Sequence, residues 1–143
     1  MKKNIVLIID DEENVLNSLK RLLRKEPYSV ITTTSPKKAL KFLERMKVSL
    51  IITDQKMDEI SGEEVIRQAA QICPETDFMV LTGYSDTMGK VQSSAALIVV
   101  QKPWNDDELK QLIRKTLDTD NYSKVLTTVT NQEEYICSST ESL

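Results

Sequence analysis

The chain contains no histidine, and that absence excludes Ser–His and Cys–His nucleophilic pairs together with the common zinc sites that need imidazole. Cysteine is nearly absent as well. Cys73 and Cys137 stand far apart without CxxC spacing, so reduced thiols in a cytosolic protein are the simplest reading and a disulfide the lesser one. A basic surface is also missing: the net charge is −3 and the pI about 5.1, which speaks against direct binding of nucleic acid. No run approaches the roughly 20 apolar residues of a membrane span. The N-terminal MKKNIVLIIDDEEN has lysines before an apolar run, but the run at 5–9 is too short for a signal peptide and ends in four acids. It reads as a strand, and a cytoplasmic location is expected.

What remains is ordinary globular material. The 143 residues, 40% of them apolar and 29% charged, suit one domain with a real core. Short apolar runs rich in branched residues occur at 5–9, 50–53, 78–82 and 97–100. They lack polar alternation, as expected of parallel strands buried on both faces. A weaker fifth run at 28–33 carries threonines that suggest a sheet edge.

Helical spacing fills the gaps. Val15, Leu16, Leu19, Leu22 and Leu23 form one stripe, stopped at Glu26–Pro27. Ala39, Leu40, Leu43 and Met46 form a second, behind Ser35 as N-cap and Pro36 at the first helical position. Val65, Ile66, Ala69 and Ala70 form a third, entered after Gly62 and closed before Pro74. Leu109, Leu112, Ile113 and Leu117 form the last, capped by Asn105 or Asp106. Residues 85–96 must join two strands, but Gly89 and several serines predict only a short helix there. A β-α unit repeated five times predicts a doubly wound α/β sheet over residues 1–118. The segment 119–143, rich in Thr, Ser and Asn, reads as a weakly ordered tail, linker or docking segment.

In such sheets ligands bind outside the carboxyl ends of the strands. The first strand ends in Asp10 and Asp11, the third in Asp54, the fourth in Thr82 and the fifth in Lys102. Taken singly, an acid there is often only a helix cap, a Thr before Gly starts a turn, and a Lys before Pro is usually solvated. Independent caps would not select this complementary set. Two carboxylates about 4 Å apart repel by roughly 4 kcal/mol at an effective dielectric of about 20, so three together need protonation or a cation. Oxygen ligands without His or Cys favour Mg²⁺, and such a site suits phosphoryl transfer.

IVLIIDDEENV, LIITDQKMDEISGEEVI, DFMVLTGYSD and VVQKPWNDDEL resemble, in order, the motifs of bacterial two-component response-regulator receiver domains (CheY-like), over roughly residues 3–118. The resemblance implies a flavodoxin-like five-stranded parallel sheet of order 2-1-3-4-5. It implies that Asp54 accepts a phosphoryl group from a sensor histidine kinase or phosphotransfer protein. Asp11 would ligate Mg²⁺ directly and Asp10 chiefly through water, with Asp54 and the backbone carbonyl of Lys56 completing the shell. Lys102 would pair with the phosphoryl oxygens while the Thr82 hydroxyl moves to bond one of them. Pro103 matches a Lys–Pro pair that is usually cis. Such a domain promotes its own modification without being a turnover enzyme. Its partner is an output domain, an effector or a second copy, met through the fourth helix, fifth strand and fifth helix, with Trp104 near that face. NDDEL after KPW is similar to receivers joined to cyclic-di-nucleotide phosphodiesterases, and the chain is read as a stand-alone receiver or one cut from a longer protein.

Two departures and one pair of pocket-flanking positions bear on signalling. Asp58 stands where the loop after the acceptor usually has Pro, although Met57 and Gly62 match. Val99 occupies a switch position that is usually Tyr or Phe. Lys56 and Tyr84 occupy two pocket-flanking positions with long side chains, which predicts slow loss of the phosphoryl group. The competing reading is a degenerate receiver that acts as an interaction module without phosphorylation. An Asp-nucleophile hydrolase of the haloacid-dehalogenase type is disfavoured, because it needs an Asp two places after Asp10 and Glu12 stands there.

Overall fold

The branched apolar runs all become strands: β1 Ile5–Ile9, β2 Ser29–Thr33, β3 Leu50–Asp54, β4 Asp77–Thr82 and β5 Leu97–Gln101. The computed structural model describes residues 4–83 and 97–118 and, for the backbone alone, 127–129 and 134–136. The short helix predicted over 85–96, and Tyr84, lie outside the described residues. The five strands are parallel in the order β2-β1-β3-β4-β5. Among the described residues four helices pack on them: α1 Glu13–Leu22, α2 Pro36–Leu43, α3 Gly62–Ile72 and α4 Asp106–Asp118.

The strands read as unbroken apolar runs because each successive side chain enters a different core. Val6, Ile8, Leu50, Ile52, Met79 and Leu81 face one side, against Leu16 and Leu19 of α1 and Leu109, Leu112 and Ile113 of α4. Leu7, Ile9, Ile51, Phe78 and Val80 face the other, against Ala39, Leu40 and Leu43 of α2 and Val65, Ile66 and Ala69 of α3. Each large aliphatic side chain removed from water in this way contributes about 1.5–3 kcal/mol. β2 pairs only with β1, as its threonines suggested. A bidentate pair from Arg114 of α4 to Glu26, at 2.6 Å for each bond, ties the loop after α1 to the last helix.

Helix starts follow local chemistry. The Ser35 hydroxyl accepts from Lys38 N–H at 3.2 Å, with Pro36 in the first turn. Asn105, rather than Asp106, caps α4 by accepting from Glu108 N–H at 3.0 Å. Met46 departs from its expected place in the α2 stripe. The helix ends at Leu43, Met46 is 44% exposed, and Val48 turns into the core instead.

Two short strands fall within the segment read as a tail. β6 Thr127–Val129 pairs parallel with β5, and β7 Glu134–Ile136 pairs antiparallel with β6, so the sheet runs on beyond its five-stranded core. β-Branched TTV suits the pleat, but three residues are too few to show a period. Among the described residues no helix is long and apolar enough to cross a membrane.

Candidate functional site

The connection from β1 through α1 runs to β2 on one side, and the connection from β2 through α2 returns to β3 on the other. The order therefore reverses between β1 and β3, the point where such sheets bind ligands. Asp10 and Asp11 follow β1 directly, and Asp54 ends β3. Thr82 ends β4, paired in register with Gln101, and Lys102 follows. The Lys102 N–H donates to the Thr82 carbonyl at 2.7 Å, so the last two strand ends are level. All five residues named from the strand ends meet on this edge.

Carboxylate oxygens of Asp10, Asp11 and Asp54 lie within 4.8 Å of one another. Lys102 Nζ is 2.9 Å from Asp54 Oδ1. The Thr82 side chain is buried. Lys56 is exposed in the loop after β3, and Val99 is half-buried on β5. The Lys102–Pro103 peptide bond is cis, as the motif implied. Trp104 packs half-buried against the α1–α4 core, and its indole N–H donates to Asp106 at 3.2 Å.

Asp10 carries the strain of this arrangement. It is 1% exposed, its Oδ1 accepts from Glu12 N–H at 2.8 Å, and its Oδ2 is buried with no hydrogen-bond partner among the described residues. Burial above all, with the Asp54 and Asp11 charges adding to it, pushes its carboxyl from 3.8 up to about 6, against the pull of Glu12 N–H and Lys102. A carboxyl raised on folding takes stability away once it ionises. Well below pH 3.8 it is protonated in both states and costs nothing; well above pH 6 the full cost is present. Metal-free protein is therefore expected to lose about 2 kcal/mol from this group between pH 4 and 7. Asp10→Asn should flatten that part of the profile and unfold at higher urea at pH 7. Urea melts across this range check it, and a variant less stable than wild type at pH 7 would refute it.

The donor set fits a small hard cation. It is all oxygen, the buried Asp10 Oδ2 lacks a hydrogen-bond partner among the described residues, and three carboxylates crowd together where Lys102 pairs with Asp54.

A flavodoxin-like sheet with an acidic crevice at its switch point is the class that fold and site define. Within it the chain belongs to the response regulator receiver domain family, whose model matches residues 6–114. The chain is 31% identical over 120 residues to the hydrogenase transcriptional regulatory protein HoxA of Cupriavidus necator, across 82% of this chain and 25% of that one. The CheY-like receiver domain protein of Methanospirillum hungatei JF-1 matches with TM-score 0.70 and 26% identity, covering 82% of this chain and 95% of that one. The signal receiver domain of an HD domain-containing protein of Pseudomonas fluorescens Pf-5 matches with TM-score 0.71 and 26% identity, covering 82% and 96%. The chain spans about a quarter of the length of curated relatives such as HoxA and the transcriptional regulatory protein GlrR.

Three contacts at the site escaped the sequence reading. The N–H of Asp58 donates to Asp11 Oδ2 at 3.2 Å. Gly62 lies against the Asp54 backbone so closely that a Cβ would collide with its carbonyl oxygen. Ser61 caps α3 by accepting from Glu64 N–H at 3.1 Å. Only the last had a local signal, the Ser-x-x-Glu of a capping box before an apolar run.

Proposed function

We propose that the chain accepts a phosphoryl group on Asp54 from a phosphohistidine of a sensor kinase or phosphotransfer protein, in a Mg²⁺-dependent reaction. The observation that carries this reading is the Lys102 ammonium, 2.9 Å from the Asp54 carboxylate inside a cluster of three acids. A carboxylate oxygen of Asp54 attacks phosphorus, the P–N bond to the donor imidazole breaks, and an acyl phosphate forms. The reaction spreads charge over the equatorial oxygens, so the protein contributes mainly positioning and positive charge.

Lys102 pairs with the oxygens that arrive on Asp54. The Thr82 hydroxyl, at the end of the neighbouring strand, donates to another of them. Asp11, Asp54 and the Lys56 carbonyl would hold Mg²⁺ directly and Asp10 through water. A bound Mg²⁺ would supply a second positive charge beside that of Lys102. Residues 1–118 form the phosphoacceptor unit and 119–143 a segment that links or docks. The output is an effector or attached domain, consistent with relatives named as transcriptional regulators, and two copies can meet through the face that the family builds from its fourth helix, fifth strand and fifth helix.

Acetyl phosphate with Mg²⁺ should add one phosphoryl mass to the whole protein, labile to hydroxylamine and located on the peptide bearing Asp54. Chelation of Mg²⁺ should prevent it. Absence of modification under these conditions would favour the phosphorylation-independent interaction module. Steady phosphate release from simple esters would favour a hydrolase.

A further inference from the structure

We infer that the backbone N–H of Asp58 is a positioning group for the acidic pocket, fixing the Asp11 carboxylate and holding the Lys56 carbonyl at the site with the same hydrogen bond. The inference rests on the Mg²⁺-dependent reading above.

Asp11 is half-buried, so packing restrains its side chain less than it would that of a fully buried residue. The bond from Asp58 N–H to Oδ2, at 3.2 Å, spans 47 residues of sequence and supplies a further restraint. It commits one carboxylate oxygen to the protein and leaves the other for a cation. Partners of this kind, one bond behind a ligand, orient the ligand and set its affinity.

The same bond closes a short loop. Gln55 is pinned on both sides, its N–H donating to the Leu81 carbonyl at 3.0 Å and its own carbonyl accepting from Gly62 N–H at 2.8 Å. Asp58 is pinned to Asp11. Lys56 and Met57 alone lie between these anchors, and two residues have little freedom to turn a carbonyl away. Past Asp58, Glu59 accepts from Lys37 N–H at 3.4 Å in the first turn of α2, which anchors the far side of the loop.

The device depends on the backbone, not on the Asp58 carboxylate. Any residue except proline provides it. Proline is the residue that usually stands here in the motif, so this chain has gained a restraint that such a sequence cannot make.

The test compares two substitutions that both remove the Asp58 charge, in the full chain. Asp58→Asn keeps the N–H, and Asp58→Pro deletes it. Calorimetric titration with Mg²⁺ should show Asp58→Asn within about threefold of wild type and Asp58→Pro weaker by about tenfold. Equal affinity in the two variants overturns the inference and leaves the Mg²⁺ reading intact. No Mg²⁺ binding by wild type overturns both. A second measurement stands even if the proline variant fails to fold. In metal-free protein the Asp58 amide proton should exchange faster, and resonate upfield, in Asp11→Ala than in wild type. An amide indifferent to Asp11→Ala overturns the inference.

Discussion

Replacing Asp54 by asparagine is expected to abolish phosphoryl incorporation from acetyl phosphate, and Lys102→Ala to slow it about 1,000-fold with the acceptor still in place. The two losses differ in kind. In the proposed reaction a neutral amide would lack the carboxylate charge that the nucleophile needs, and no other carboxylate of the cluster would replace it: Asp10 is buried against Glu12 N–H and Asp11 is held by Asp58 N–H. Lys102 never enters the covalent chemistry. Its ammonium sits 2.9 Å from Asp54 Oδ1, where charge must accumulate on the incoming phosphoryl oxygens. Losing one preorganised donor of this type costs about 3–4 kcal/mol in the transition state. The side chain is 30% exposed, so water can take its place in the ground state and the fold should survive. Lys102→Arg retains the charge with a planar, longer head and should fall between wild type and Lys102→Ala. Intact-mass time courses at fixed Mg²⁺ read all three. A Lys102→Ala rate within tenfold of wild type would remove Lys102 from the reaction.

The parts of this site that were legible in the sequence are those determined by strand ends. A strand buried on both faces is an apolar run, and the one or two residues that follow the run are delivered to the sheet edge. Asp10, Asp54, Thr82 and Lys102 could therefore be named before any contact was known. The helix starts at Ser35 and Asn105 were legible for a similar reason, since a cap is satisfied within three residues of itself. The illegible parts depend on chain segments that meet only in the fold. Asp58 contributes a backbone donor, which is the same for every residue but proline, so its side chain says nothing about its partner. Met46 continues the α2 spacing perfectly well on paper. It is exposed because the backbone turns after Leu43 to deliver Val48 to the core, a demand of the sheet and not of the helix. In β6, three residues borrow their order from β5 and leave no pattern of their own.

Gly62→Ala is expected to destabilise the protein by about 2–3 kcal/mol and to slow phosphorylation, although Gly→Ala in a helix ordinarily stabilises by up to about 1 kcal/mol. Gly62 opens α3, is buried, and shows no left-handed backbone, so the substitution meets no conformational penalty. What it meets is the chain itself. A Cβ there would overlap the Asp54 carbonyl oxygen and come within 3.0 Å of the Asp54 carbonyl carbon and Gln55 Cα. Neither neighbour can yield cheaply. The Asp54 carbonyl already accepts from the Thr53 hydroxyl at 3.0 Å, and Gln55 N–H is bonded to the Leu81 carbonyl at 3.0 Å across to β4. Moving α3 outward instead would break the Gly62 N–H bond to the Gln55 carbonyl, 2.8 Å long, and strain the packing of Val65, Ile66 and Ala69 on the sheet. Either response displaces the acceptor or the loop that carries Lys56, so stability and reactivity should fall together. Urea melts with an unchanged m-value would attribute the loss to the native state. A Gly62→Ala variant as stable as wild type, with unaltered phosphorylation, would show that the β3–α3 junction yields at no cost and that Asp54 does not depend on it for its position.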